Sequence, residues 1–392
     1  MKAVIAGAGI AGLVAARQLG LAGWQVEVLE KSRAPRPDGY MMDFFGPGVE
    51  ASERIGLYPY LADVAYHVDA VEYVDSRLRP RARLDYEQFA RLAGANVLSL
   101  LRPDMERAAL AALADVPAGR VQVRYGARVT KAWADANGAR VTVDGRPRPV
   151  EADLLIGADG VHSCVRASVF GPERDYLRPL GMRAAAFTAA DAGLNASLAG
   201  RFLLTDTVGR MAGLYGLRDG RVAGFFAYRA SGGPESGPDD ARERLRRQFA
   251  GLGDAVDRLL ELCPAHPYDD VVAQVVMPAW RRGRCVLIGD ASGAVSLLAG
   301  QGGSLAVAGA ALLADLLGPV GSPAGIGAAL AEFEQRWRPV VEEAQSAGRR
   351  AASSFLPANS FQRFMRRWII RATHLPGVAP LVARQIVGRT VT

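Results

Sequence analysis

Apolar residues recur along this chain with two different periods, and the order in which those periods alternate sketches the fold. Near the start, the apolar run Lys2–Ala6 leads into a helical stretch from Ile10 to Leu21, and Gly23 separates it from a second run, Gln25–Leu29. Strand, helix and strand in so short a span read as a βαβ unit. Runs of strand character follow at Ala70–Val74, Ala82–Tyr86, Ala184–Thr188, Arg201–Thr207, Arg210–Leu217 and Arg221–Tyr228. Arg218-Asp219-Gly220 joins the last two, a hairpin signal that makes the middle region a mostly antiparallel sheet. Val271–Met277 is expected as a strand returning to the first domain, Cys285–Ile288 as the next strand, and the apolar segment Ser304–Leu317 as a helix. In the tail, Phe361, Phe364, Met365, Trp368 and Ile369 recur at helical spacing, with Arg363, Arg366, Arg367 and Arg371 on the polar side. That pattern predicts an amphipathic helix packed across the protein body, with contact to a membrane surface or to a partner as the alternatives.

Three glycine-bearing turns sit on this framework. The first is Gly7-Ala8-Gly9-Ile10-Ala11-Gly12, a G-x-G-x-x-G between strand and helix, which is the context a dinucleotide fingerprint requires. Gly7 permits the tight turn, Gly9 lets backbone approach a pyrophosphate, and Gly12 lets helix pack on sheet. From Ile10 onward the helix directs unpaired N–H groups and a positive end at the phosphates. Glu30, followed by Lys31, ends the second strand, where a carboxylate accepts hydrogen bonds from ribose hydroxyls. The second turn lies in Asp153-Leu-Leu-Ile-Gly-Ala-Asp159-Gly160-Val-His-Ser163-Cys-Val-Arg166, and the third begins at Gly289-Asp290 and continues through Gly300-Gln301-Gly302-Gly303. Together they read as one dinucleotide site whose walls come from distant stretches of chain.

The second and third segments resemble those of the FAD-dependent aromatic hydroxylases typified by para-hydroxybenzoate hydroxylase. The likeness is closest to the branch of tetracycline-modifying and polyketide-tailoring monooxygenases, and it covers nearly the whole chain. It implies FAD as the dinucleotide and NAD(P)H as a transient co-substrate. It also implies an α/β fold in which a Rossmann-like FAD-binding domain (1–69, 95–174 and 278–340) is interleaved with a mostly antiparallel substrate domain (70–94 and 175–277). A C-terminal helical segment covers 341–392. By the same resemblance Asp159 lies beside the pyrophosphate, Asp290 contacts the ribityl chain, and Arg102, in Leu100–Glu106, reaches FAD. Asp43, within Gly39–Gly46, contacts FAD, and Arg36 sits where the nicotinamide enters. The N–H groups of Gly302 and Gly303 would stabilise negative charge on the flavin.

One face of the substrate sheet would cover the flavin ring, with Met211, Tyr215, Phe225, Phe226 and Tyr228 as candidate lining residues. Alternate strand positions face opposite ways, so half of these are expected in the core or at the surface. The implied reaction is hydroxylation or epoxidation of an aromatic or polyketide-like molecule through a flavin C4a-hydroperoxide, which needs no catalytic side chain. Relatives usually carry histidine or tyrosine at Gly293 and proline near Leu297. The altered stretch Gly293–Leu298 keeps a second reading open, a biosynthetic cyclase that retains FAD as a non-redox template.

Composition narrows the partners. Three widely spaced cysteines (Cys164, Cys263, Cys285) and four scattered histidines fit neither a disulfide framework nor a zinc site. With a strand beginning at once, no room is left for a signal peptide, so the expectation is cytoplasmic. No apolar run is long enough to span a bilayer. The net charge of +7 belongs to the tail, because residues 344–392 hold eight arginines and no Asp or Glu. A basic balance so confined does not indicate nucleic acid. The expected partner is a small-molecule substrate, bound by a monomer or homodimer.

Overall fold

The glycine-punctuated apolar runs assemble into one largely parallel sheet. The computed structural model describes all residues except 36–38, 87–95, 199, 231–239, 297–299 and 373–392. Six strands run in the order Arg281–Arg282, Cys285–Leu287, Leu154–Gly157, Lys2–Ala6, Gln25–Leu29, Val121–Arg124, and only the first pair is antiparallel. Ile5, Leu154, Leu155 and Ile156 are fully buried, as expected for parallel strands covered on both faces. Helix α1 (Ile10–Leu21) packs on this sheet. A two-stranded ribbon, Met41–Phe44 with Leu98–Leu101, feeds α2 (Arg102–Ala111). Helix α3 (Gly302–Leu317) lies against α1.

The middle strands build a second sheet of seven, ordered Tyr268–Val275, Leu177–Ala190, Arg221–Arg229, Arg210–Gly216, Arg201–Thr207, Ala70–Val74, Pro80–Asp85. All its pairs are antiparallel except Arg201–Thr207 with Ala70–Val74. The hairpin at Arg218-Asp219-Gly220 forms as expected, with Gly220 supplying a φ of 80°. The expected strand Val271–Met277 forms as Tyr268–Val275, which pairs with Leu177–Ala190 at the edge of this sheet before the chain passes to Arg281–Arg282 in the first. Arg183 fixes that pairing through a 3.0 Å ion pair with Asp269.

Parity decides what the seven-stranded sheet offers each side. Phe187, Phe226, Tyr228 and Phe249 are buried together on the face covered by helices Ala192–Leu198, Ala241–Phe249 and Asp254–Glu261. Phe226 stacks on Phe187 at 5.4 Å. The expectation that Phe226 and Tyr228 line a substrate site is therefore corrected. Met211 and Phe225 point the other way, toward the six-stranded body.

Helix α4 (Ile326–Phe355) runs unbroken through position 340, so the expected C-terminal segment begins inside a helix. Helix α5 (Ser360–Ala372) forms where the tail pattern placed it and rests on strands Pro80–Asp85 and Arg201–Thr207. Its aromatic residues are not buried there: Phe361, Phe364 and Trp368 are 70%, 63% and 58% exposed.

Candidate flavin and substrate site

A cavity of about 720 Å³ lies between the two sheets. Its first half is walled by the glycine turns. Gly7 has a φ of 103°, and a Cβ there would lie 2.4 Å from the carbonyl oxygen of Ala158, so no other residue fits. A Cβ at Gly9 would meet only Glu106 Oε1, at 3.7 Å, and at Gly300 or Gly302 it would meet nothing within 4 Å. These three glycines border the cavity. Their missing side chains leave a cradle that protein packing does not require, which is what a closely held phosphate and ring system needs. The N-terminus of α1 opens on the same space, and no side chain caps it.

Ala11, Gly12 and Gly303, expected in the cofactor wall, stand behind it in packing contacts. A Cβ on Gly12 would come 2.1 Å from the carbonyl oxygen of Gly7, and one on Gly303 would come 2.9 Å from Met42 Sδ. Ala11 abuts Gly289 from the helix side.

The polar groups converge from five segments of the chain. Glu30 borders the cavity with Lys31 and accepts hydrogen bonds from the N–H of Ala8 at 3.0 Å and of Ser32 at 2.9 Å. Arg102 opens α2, where the ribbon pairing Met41 with Leu101 sets it at the cavity wall. It pairs with Glu106 at 2.9 Å. Asp290 follows the sharp turn at Gly289, and burial lifts its carboxyl above the usual range against the pull of Arg102. Asp43 is lifted likewise by burial, while hydrogen bonds from Tyr86 (2.6 Å) and Ser99 (3.1 Å) oppose the shift. Asp159 reaches the cavity but spends its oxygens on Ser163 and the N–H of Val165. Arg36 and Leu297-Leu298 fall outside the described residues.

Two links join the motifs into one body. Arg166, fully buried, donates to the carbonyls of Val161 (2.6 Å) and Ala291 (3.2 Å), tying the second glycine segment to the third. His162 bridges Glu173 at 3.0 Å and Asp270 at 3.1 Å, connecting the glycine side to the edge strand of the second sheet.

The second half of the cavity is lined by Tyr73, Phe202, Leu204, Met211, Tyr215 and Phe225. Tyr40 marks the border between the halves, its ring 6.1 Å from Phe225 and 6.0 Å from Tyr268. Burial pushes its hydroxyl up to about 12, with Arg102 opposing. The Tyr215 hydroxyl accepts the N–H of Met41 and so pins the substrate sheet to the ribbon. Tyr40 could have been found, since it lies inside the quoted Gly39–Gly46 segment. Tyr268 carried no local signal.

The altered loop has a packing cause. A Cβ at Gly293 would stand 2.6 Å from Val341 Cγ1, so α4 occupies the space a larger residue would take. Gln345 donates to the carbonyls of Ala294 (3.1 Å) and Val275 (2.7 Å), and Gln274 to that of Val295 (3.0 Å). The departure from the family pattern is thus coupled to the long helix.

Residues 1–347 match the family model described as FAD binding domain. The chain belongs to that family. It is 29% identical over 390 residues to a flavin-dependent monooxygenase from an unknown prokaryotic organism, covering 95% of this chain and 97% of the relative. It is 28% identical over 347 residues to the FAD-dependent urate hydroxylase of Klebsiella pneumoniae, covering 85% of each. Among solved structures, the tetracycline destructase Tet(55) aligns with a TM-score of 0.78 at 26% identity, over 98% of this chain and 97% of that one. This family member is an FAD-dependent monooxygenase, and the template-cyclase alternative is not favoured by these relatives. No helix among the described residues is long and apolar enough to cross a membrane, and no described cluster of His, Cys, Asp and Glu could hold a metal.

Proposed function

We propose that this monooxygenase uses NAD(P)H and O2 to insert one oxygen atom into an aromatic or polyketide-like molecule held in the apolar half of the cavity. The observation that carries the reading is continuity: one cavity runs from the glycine turns to Phe202, Met211 and Phe225. Bound FAD supplies the electron transfer and oxygen activation. The chain holds, orients and shields. Gly7 and Gly9 admit the pyrophosphate to the N–H groups of α1, and Glu30, with Lys31 beside it, takes the adenosine ribose. Arg102, Asp43 and Asp290 would anchor the rest, with Asp159 bracing the turn beside them and the Gly302 N–H available to the flavin.

The six side chains that the substrate sheet sets along this half are apolar or phenolic, which supports an aromatic substrate. Sheet side chains that exclude water protect reduced flavin from wasteful discharge. We assign 1–69, 95–174 and 278–340 to cofactor binding and 70–94 with 175–277 to substrate binding. The three thiols are unpaired, which supports a cytoplasmic protein, working as a monomer or homodimer without nucleic acid. The test is anaerobic addition of NADPH or NADH followed by turnover under isotopically labelled O2. Bleaching of the flavin and one labelled oxygen in the product are expected. Conversion of substrate by a flavin that never bleaches would overturn the proposal.

A further inference from the structure

We propose that α5 is a docking element for an anionic lipid surface. Phe361, Phe364 and Trp368 are spaced by three and four residues, so they form one stripe along the helix. All three are more than half exposed, although the helix is firmly joined to the body. Asn359 Oδ1 accepts the N–H of Gln362 at 2.9 Å, and Gln362 Oε1 accepts that of Ala358 at 2.8 Å, a reciprocal cap at the helix start. Just before it, Arg229 donates to the carbonyl of Leu356 at 2.9 Å and the N–H of Gly209 to that of Pro357 at 2.8 Å. Val208, at that hairpin tip, is itself 46% exposed. The stripe is therefore carried by a helix fixed on strands Pro80–Asp85 and Arg201–Thr207, and Phe364 and Trp368 flank the crevice between helix and strands while more than half of each stays exposed.

Charge selects the occupant. The helix sequence carries four arginines and no acidic residue, within a tail of eight arginines and none acidic. A second copy of this chain would bring like charge against like charge, which disfavours a symmetric pairing through this face. Aromatic residues along one side of a short basic helix are instead what inserts at the headgroup level of a bilayer, with arginines on anionic lipids. No described helix spans a membrane, so the contact is peripheral and should weaken with salt.

The test uses the full-length, FAD-loaded protein and co-sedimentation with vesicles of equimolar phosphatidylglycerol and phosphatidylcholine, or of phosphatidylcholine alone. At about 50 mM salt, at least tenfold more protein should bind the anionic vesicles, and most should be released at about 500 mM. F361S/F364S/W368S and R363Q/R366Q/R367Q/R371Q should each lower binding at least tenfold while flavin content stays the same. Equal affinity for both vesicle types would overturn the proposal, as would a lipid-free dimer that the aromatic variant abolishes. If either variant fails to fold, quenching of the tryptophan emission of W133F by brominated phosphatidylglycerol decides. Trp24, Trp280 and Trp337 are at most 9% exposed and the part-exposed Trp133 is removed, so quenching supports contact through Trp368 and its absence refutes it.

Discussion

At the phosphate end of the cavity the wall is mostly backbone, whereas at the other end it is side chains hung on the seven-stranded sheet. The first kind of wall has few solutions in sequence. Gly7 must take a φ of 103° with Ala158 pressed against it, and no substitution elsewhere relieves that demand. The second kind has many solutions, because Phe202, Met211 and Phe225 can be exchanged for other apolar residues at similar volume. A cofactor common to a family is met by the rigid wall, and a substrate particular to one member by the adaptable one.

The comparison breaks first at its rigid end. Gly7→Val forces a side chain into Ala158 and into a conformation β-branched residues avoid, so little folded flavoprotein should be recovered. Gly302→Ala is the contrasting case. Its Cβ meets nothing within 4 Å, so stability by urea titration should change by less than about 0.5 kcal/mol while FAD affinity falls. If Gly7→Val retains full flavin, or if Gly302→Ala unfolds without touching FAD affinity, the backbone wall has been misread.

Next comes the adaptable end, where two adjacent residues should behave as opposites. Phe226→Ala opens a void among Phe187, Phe249 and their neighbours and should cost about 3–5 kcal/mol in urea unfolding. Phe225→Ala should cost well under half as much and raise KM for substrate instead. Similar losses from both would mean that the sheet does not separate core from cavity at this strand.

The same contrast explains what could be read from sequence. Gly7, Gly9 and Glu30 were legible because each answers a local demand of turn, helix start or strand end, whereas Asp290 was placed by the family resemblance. Phe226 was not, since period two reveals that neighbours part company but not which of them meets the cavity. Gly293 looked like a functional departure until Val341, distant in sequence, was seen to fill its space. Tyr268 joined the site only because its strand pairs at the sheet edge, a tertiary choice that the apolar run Val271–Met277 did not encode. The tail helix was legible as a helix, but the exposure of Phe361, Phe364 and Trp368 depended on where the body ended.

A smaller effect concerns Glu30, whose carboxylate already holds the N–H groups of Ala8 and Ser32 in the absence of any ribose. Glu30→Ala should weaken FAD by roughly 1–3 kcal/mol, about five- to 150-fold. FMN, which lacks the adenosine ribose, should lose much less. Equal losses for the two flavins, measured by fluorescence titration, would reduce Glu30 to a brace for the glycine turn.

The smallest expected effect lies at the seam between the two walls. His162 is raised from 6.5 to about 9, first by its hydrogen bond to Asp270 and then by Glu173, while burial opposes the shift. Burial alone would raise Asp270, but the His162 bond and charge outweigh it and hold that carboxyl below its usual range, so it stays ionised throughout. A group whose folded pKa exceeds its unfolded one stabilises fully below the unfolded value and ceases to do so as pH rises through the folded value. The imidazolium should therefore fasten the seam at about pH 6 and release it progressively through about pH 9. His162 is nearly half exposed, so screening should keep the gain below about 1 kcal/mol. His162→Gln should lower the Tm at about pH 6, and the deficit should vanish by about pH 10. A deficit that persists unchanged at high pH would assign the seam to neutral hydrogen bonding, and the two halves of the cavity would then be joined by shape rather than by charge.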